Sequence, residues 1–353
     1  MAPLPPEELY TLAPDVPDVS GSVLVEMLDG FIDAGGARRL AREHLLSGGA
    51  SVLVATFDVD LLFDYRARRP PMMFVEDHWA SYDAPRLDVR LLNDADGTGF
   101  LLLSGPEPDV MWERFAAAVE QLVTRLGVRL SIGTNAIPMA VPHTRPVGVT
   151  AHGSRRDLLG GHVPWVGTVQ VPGSASGLLE FRLGAAGHDA LGFAVHVPHY
   201  LAQAAYPAAA ETLLRTIGGA AGLRFDVDAL NKAAADATTT ISGLVEQSED
   251  LAELVRGLEA QYDAFVDSRE GSASLPRRFR LLAHRTFSLS VAARSASLAP
   301  PSIFLTISSA LARSRVSISF SRQRASTFSF TSSRERSRPG VMAATSYQTN
   351  PPP

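Results

Sequence analysis

Val23-Leu24-Val25-Glu26-Met27-Leu28-Asp29-Gly30 opens the stretch that decides the fold. The first six residues read as a strand, and Asp29-Gly30 ends it. A helix is predicted over 37–46, stopped by Gly48-Gly49, and a second apolar run over 51–57 reads as the next strand. Strand, helix and strand within 23–57 make a βαβ unit, and alternation of this kind predicts α/β architecture with a largely parallel sheet.

Outward from that unit the alternation continues. Further strands are predicted at 88–92, 99–103, 129–132, 147–151 and 191–197. Pro108-Asp109 opens a helix in which Met111, Phe115, Ala118, Leu122 and Leu126 follow helical spacing and Gly127 closes it. Pro207 opens another, running through Leu213, Leu214 and Ile217 to Gly218-Gly219. From Asp226 the pattern is helical throughout: Leu230, Ala234, Ala237, Ile241 and Leu244 make one stripe. After Ser248 as N-cap, Leu251, Leu254, Val255, Leu258, Tyr262 and Phe265 make a second. A helical hairpin packed on the main domain is expected there, its acidic outer face (Glu246, Asp250, Glu253, Glu259, Asp263) in solvent.

The 353 residues carry 46% hydrophobic and 20% charged side chains, a globular composition. With no cysteine, disulfides, thiolate nucleophiles and Cys-ligated metal centres are excluded. No uncharged apolar run approaches the roughly 18 residues of a membrane span. The segment 1–18 lacks the basic and apolar regions of a signal peptide, so a cytoplasmic protein without a membrane partner is expected. The formal charge of −5 hides a division. Residues 271–353 hold twelve arginines, one acid and 19 serines, leaving 20 basic and 36 acidic residues in 1–270, or +11 against −16. Three readings of the tail compete: a basic arm for nucleic acid, a disordered Ser/Arg extension, and translation from another reading frame of a GC-rich gene. The third is preferred, because acids vanish abruptly after Glu270 and the arginines belong to no recognisable motif, which makes a nucleic-acid partner unexpected. Residues 314–330 alternate like a strand without an obvious partner.

Candidate sites are few. Asp29, Gly30, Asp33, Gly35 and Gly36 lie between a strand and a helix, where backbone amides can meet an anion. The spacing fits neither phosphate-loop fingerprint, and Asp29 and Asp33 repel a phosphate. The competing reading is a tight turn with Asp33 capping the helix. Asp58, Asp60 and Asp64 lack the spacing of a calcium loop and are expected to pair with Arg66, Arg68 and Arg69, a charged ribbon suited to an oligomer contact. His196 and His199 point to opposite faces of a strand and make a poor metal chelate, so no metal site and no cofactor is expected. His143, His152, Ser154 and Asp157 supply the residue types of a hydrolase, but no nucleophile elbow surrounds Ser154.

Several motifs in order across 20–267 resemble the proteasome-assembly-chaperone family, second-subunit type, in its high-GC bacterial branch. They are Leu28-Asp29-Gly30-Phe31-Ile32-Asp33-Ala34-Gly35-Gly36, Phe57-Asp58-Val59-Asp60 with the stretch from Asp64 to Pro70, and Ser104-Gly105-Pro106-Glu107-Pro108-Asp109 leading to Trp112. Also among them are Pro142-His143-Thr144-Arg145-Pro146 with Thr150-Ala151-His152-Gly153-Ser154, Val171-Pro172-Gly173-Ser174, and His196 to Leu201 with Tyr206-Pro207. The resemblance implies a three-layer α/β/α sandwich like that of nucleoside phosphorylases, with a C-terminal helical addition and a homo-oligomer such as a trimer. The division expected is an extension over 1–20, the α/β/α domain over 21–225, a helical subdomain over 226–270 and the tail. The function implied is a non-enzymatic interaction module with proteasome subunits among its partners. The alternative is a binder or enzyme for nucleoside- or phosphate-type molecules on the same scaffold.

Overall fold

The run that opens the βαβ unit becomes a central strand because six of its seven residues are buried. The structure, a computed structural model, describes residues 5–30, 32–162 and 167–273, with side chains to 267. In chain order the elements are β1 (Tyr10–Leu12), β2 (Val23–Asp29), α1 (Ala37–Ser47), β3 (Val52–Phe57), α2 (Val59–Leu62), β4 (Met72–Val75) and β5 (His78–Tyr82). There follow β6 (Asp88–Asn93), β7 (Gly99–Pro106), α3 (Trp112–Arg125), β8 (Leu130–Met139), β9 (Val149–Gly153), α4 (Ala175–Ala185), β10 (Ala190–Pro198), α5 (Pro207–Ala221), α6 (Asp228–Glu246) and α7 (Glu249–Ala273).

Eight strands form one sheet in the order β1-β3-β6-β7-β2-β8-β10-β9. The inner four, β7, β2, β8 and β10, are parallel, while β6, β3, β1 and β9 add antiparallel ladders at the margins. The expected βαβ unit therefore exists with a difference. β3 runs in the direction of β2 but stands beyond β7 and β6, because these later strands pair more extensively with β2 and with each other.

Alternate residues of β2 feed two cores. Val25 and Met27 pack with Leu40 and Ala41 of α1, Leu213 and Ile217 of α5, Ile241 of α6 and Val255 of α7. Leu24 and Leu28 pack with Phe115, Val119 and Leu122 of α3 and Leu179 and Leu183 of α4. Burying a side chain of this size stabilises by about 1.5–3 kcal/mol, so the three-layer α/β/α sandwich follows from apolar surface on both faces of the sheet. The helical pair α6–α7 does form, and its buried Leu230, Leu251 and Leu258 are continuous with the α1–α5 core.

No sign of β1, α2, the β4–β5 hairpin or α4 was read from the sequence. The helix expected to open at Pro108 begins at Trp112, after Met111 in the left-handed region at φ 58°. The tail and the alternating segment 314–330 lie outside the described residues, apart from the last turn of α7.

Candidate functional site

β2 and β8 pair from Val23↔Leu130 to Glu26↔Gly133 and then part. β2 continues beside β7 to Asp29↔Pro106, and β8 beside β10 to Met139↔Pro198. The crevice so formed lies between a strand followed by a helix on one face (α1) and a strand whose next long helix lies on the other (α4). Doubly wound sheets bind ligands at such a point. Here the crevice is filled by charge. Arg38, on the first turn of α1 and 3% exposed, sends Nη1 to the Thr134 carbonyl at 3.2 Å and Nη2 to the Ile32 carbonyl at 3.0 Å. The Thr134 hydroxyl donates to the Glu26 carbonyl at 2.7 Å, fastening β8 to β2 where their ladder ends.

Glu26 is equally buried, a carboxyl group within an apolar strand. Its Oε1 accepts from the Leu28 N–H and the Ser176 hydroxyl, both at 2.9 Å, while Oε2 has no partner among the described residues. Burial raises its pKa, the positive charge of Arg38 pulls it down, and Glu107 pushes it up further; the net direction is upward. Glu107 Oε1 accepts from the Ala175 N–H at 2.6 Å, placing a carboxylate on the first turn of α4. A Cβ at residue 30 would stand 2.8 Å from Glu107 Oε2, so a side chain there would have to displace that carboxylate.

The predicted loop folds beside this cluster, and its polar groups are spent within the fold. Asp29 pairs with Arg42 at 2.5 Å. Asp33 accepts from the Arg38 and Arg39 N–H groups at 2.8 and 3.0 Å, the capping geometry. The Gly35 amide donates to Ala202 and that of Gly36 to Asp33, at 2.8 and 2.9 Å. Gly35, at φ 67°, lies so close to Tyr206 that a Cβ would be 2.8 Å from that residue's own. Sequence reasoning found the loop and passed over Glu26, Arg38, Glu107, Thr134 and Ser176. The signal available was a carboxylate in the middle of an apolar run, which demands partners wherever it is buried.

The charged ribbon is arranged differently from expectation. Asp58 caps α2 by accepting from the Asp60 N–H at 3.0 Å, Asp60 accepts from the Tyr65 hydroxyl at 2.5 Å, and Asp64 accepts from the Arg66 N–H at 2.8 Å. Arg68 pairs with Asp109 at 2.7 Å, donates to the Glu107 carbonyl and lies 4.6 Å over the Phe63 ring. Among the described residues Arg66 and Arg69 pair with none of the three aspartates, because backbone N–H groups reach Asp58 and Asp64 and the Tyr65 hydroxyl reaches Asp60.

Under α4 one row crosses four strands: Glu26, Gly133, Gly192 and His152. The two glycines leave a trough, over which Ser176 bonds Glu26 and Glu180, one turn on, bonds His152 Nδ1 at 2.9 Å. Burial lowers the His152 pKa, but the Glu180 hydrogen bond and charge outweigh it and the net shift is upward. The hydrolase-type residues are not brought into one set. The His143 N–H donates to the Tyr200 hydroxyl at 2.8 Å and its ring Nδ1 lies 2.8 Å from the same oxygen. The Ser154 hydroxyl accepts from the Ala190 N–H at 3.1 Å, and Asp157 faces Arg155 at 3.5 Å. His196 bonds Thr150 at 2.8 Å, its pKa pushed down to about 4 by burial, and His199 begins the turn after β10. Among the described residues no three metal-ligating side chains gather, and no helix is long and apolar enough to cross a membrane.

The second notable surface is the β4–β5 hairpin. Every residue of both strands is exposed, and Met72, Met73, Phe74, Val75, Trp79 and Tyr82 retain between 39% and 63% of their accessible surface. Phe74 and Trp79 stack edge to face across the strands with centroids 5.0 Å apart.

Residues 27–245 match the model of the PAC2 family. A Mycobacterium tuberculosis protein of unknown function, Rv2714, is 48% identical, with 74% of this chain and 92% of that chain covered and a TM-score of 0.71. A Corynebacterium glutamicum protein of unknown function is 39% identical over 73% of this chain and 98% of its own, also with a TM-score of 0.71. The Mycobacterium tuberculosis proteasome-assembly chaperone homologue Rv2125 shares the fold at 23% identity and a TM-score of 0.61, over 66% of this chain and 99% of its own. No curated protein matches the chain.

Proposed function

Since the chain belongs to the PAC2 family, we propose that it is a non-enzymatic protein-interaction module of the proteasome-assembly-chaperone kind, acting in the cytoplasm as a homo-oligomer. The observation that carries this reading is the β4–β5 hairpin, which exposes six large apolar side chains. A two-stranded hairpin alone is marginal in water. Contiguous apolar surface on a soluble protein marks an interaction site, and unpaired strand edges invite a partner strand. The Glu26–Arg38–Glu107 cluster fits the same reading: both Arg38 terminal nitrogens and one oxygen each of Glu26 and Glu107 take partners from the fold itself.

The partners proposed are a second copy of this chain and, by kinship with Rv2125, proteasome subunits. The test compares the chain with a Phe74→Asp, Trp79→Asp variant by native mass spectrometry and co-purification with proteasome core subunits. The wild type is expected as an oligomer that retains a protein partner. The variant is expected as a monomer with unchanged circular dichroism, because neither side chain belongs to a buried core cluster. A monomeric wild type that captures no proteasome subunit defeats the proposal.

A further inference from the structure

A groove of about 570 Å3 lies over the carboxyl ends of β2 and β7, which reach it through Asp29 and Pro106. Arg42 and Leu46 of α1 form one wall, and the segments that carry the hairpin, 68–71 and 83–86, form the other. Its volume is that of a small-molecule site, roughly 300–1,000 Å3. Five arginines line it, Arg42, Arg68, Arg69, Arg86 and Arg90, against Asp29, Asp83 and Asp88. Ion pairing occupies three of the arginines: Arg42 with Asp29 at 2.5 Å, Arg90 with Asp88 at 3.6 Å, and Arg68 with Asp109 at 2.7 Å.

Arg69 and Arg86 are left without a carboxylate in ion-pair range among the described residues, and the one lining acid outside an ion pair is Asp83. A surplus of cation is thus gathered in one groove of a body whose residues 1–270 carry −16. The position of Arg86 is set by the sheet. Gly105 of β7, at φ 139°, runs so close to it that a Cβ there would stand 2.1 Å from the Arg86 carbonyl oxygen. Between the charges the lining is apolar, with the rings of Phe63, Pro70, Pro71 and Pro85.

We propose that this groove binds a small organic anion, its phosphate or carboxylate oxygens held by Arg69 and Arg86 and its apolar body laid on Phe63 and the prolines. Guanidinium groups present forked N–H donors that match both oxyanions, so the two share one recognition chemistry. The experiment titrates the full chain by calorimetry with phenyl phosphate, benzoate and, as the uncharged control, benzamide. At least one anion is expected to bind and benzamide is not. Phenyl phosphate alone assigns phosphate esters, benzoate alone carboxylates, and both a general oxyanion site. The Arg69→Ala, Arg86→Ala variant removes two exposed side chains, and an unchanged melting curve checks its fold. It is expected to weaken binding about tenfold or more, while Arg215→Ala on α5, which does not line the groove, leaves binding unaltered. No heat from either anion at about 1 mM, or equal affinity in the double variant, overturns the proposal.

Discussion

Glu26 is the residue at which sequence and environment conflict most, a carboxyl group enclosed in the sheet with one oxygen unpartnered among the described residues. Its folded pKa is raised, so the contribution it makes to stability is fully present below its unfolded pKa and is lost as pH rises through the folded one. Glu26→Gln keeps the shape and removes the titration. Compared with wild type, the variant is expected to gain stability as pH rises from acid to alkaline, measured by urea unfolding across that range. A gap independent of pH contradicts the assignment. Gly105 makes a second test, because its φ of 139° and the 2.1 Å approach to Arg86 leave no room for a methyl group. Gly105→Ala is expected to destabilise by roughly 3 kcal/mol or more, read from the shift in the urea midpoint. Neither role was legible from residue type. The sequence contains many glycines and acids, and only the strand pairing shows which of them face each other across the sheet.

The elements that could be read from the sequence are those with one apolar face and punctuated ends. α1 has Gly48 after it, α5 has Pro207 at its start, and α6 and α7 carry long stripes against one core. The β4–β5 hairpin escaped because both of its faces are in solvent, so no burial imposes an alternating pattern. α4 escaped for a related reason: exposed Phe181, buried Leu179 and Leu183, and two glycines blur the helical stripe. Ser174, whose hydroxyl accepts from the Gly177 N–H at 3.1 Å, was the available start signal. The docking of α7 makes a prediction at this scale. Arg145, in the loop after β8, bonds Asp263 at 2.7 and 2.8 Å and Glu259 at 3.3 Å, and the neighbouring Thr144 hydroxyl donates to Glu259 at 2.5 Å. Arg145→Ala is expected to speed amide hydrogen exchange across 255–267 while the central strands keep their protection. The pairs are partly solvated and screened by salt, so raising the salt concentration is expected to reproduce part of the effect in wild type. Unchanged exchange in α7 assigns its docking to the apolar stripe alone.

Across the whole molecule, the charge division separates a body of −16 from a stretch of +11. Among the described residues every buried apolar side chain lies between Leu9 and Leu258, and the PAC2 match ends at residue 245. Both layers of the sandwich lie within that span, and α7 of the helical addition runs on to Ala273. A chain ending at Ala273 is therefore expected to unfold in one cooperative transition, within about 0.5 kcal/mol of the full chain. Its charge is more acidic, since eleven units of positive charge come from 271–353. If the +11 stretch is translated from another frame, retranslating the gene near residue 276 yields an acidic, helix-forming continuation. Any binding of polyanions by the full chain is then lost on truncation, while the oligomer proposed to form through the hairpin is expected to persist. A broadened or non-cooperative transition in the truncated chain places part of the folding energy beyond α7 and overturns this division of the molecule.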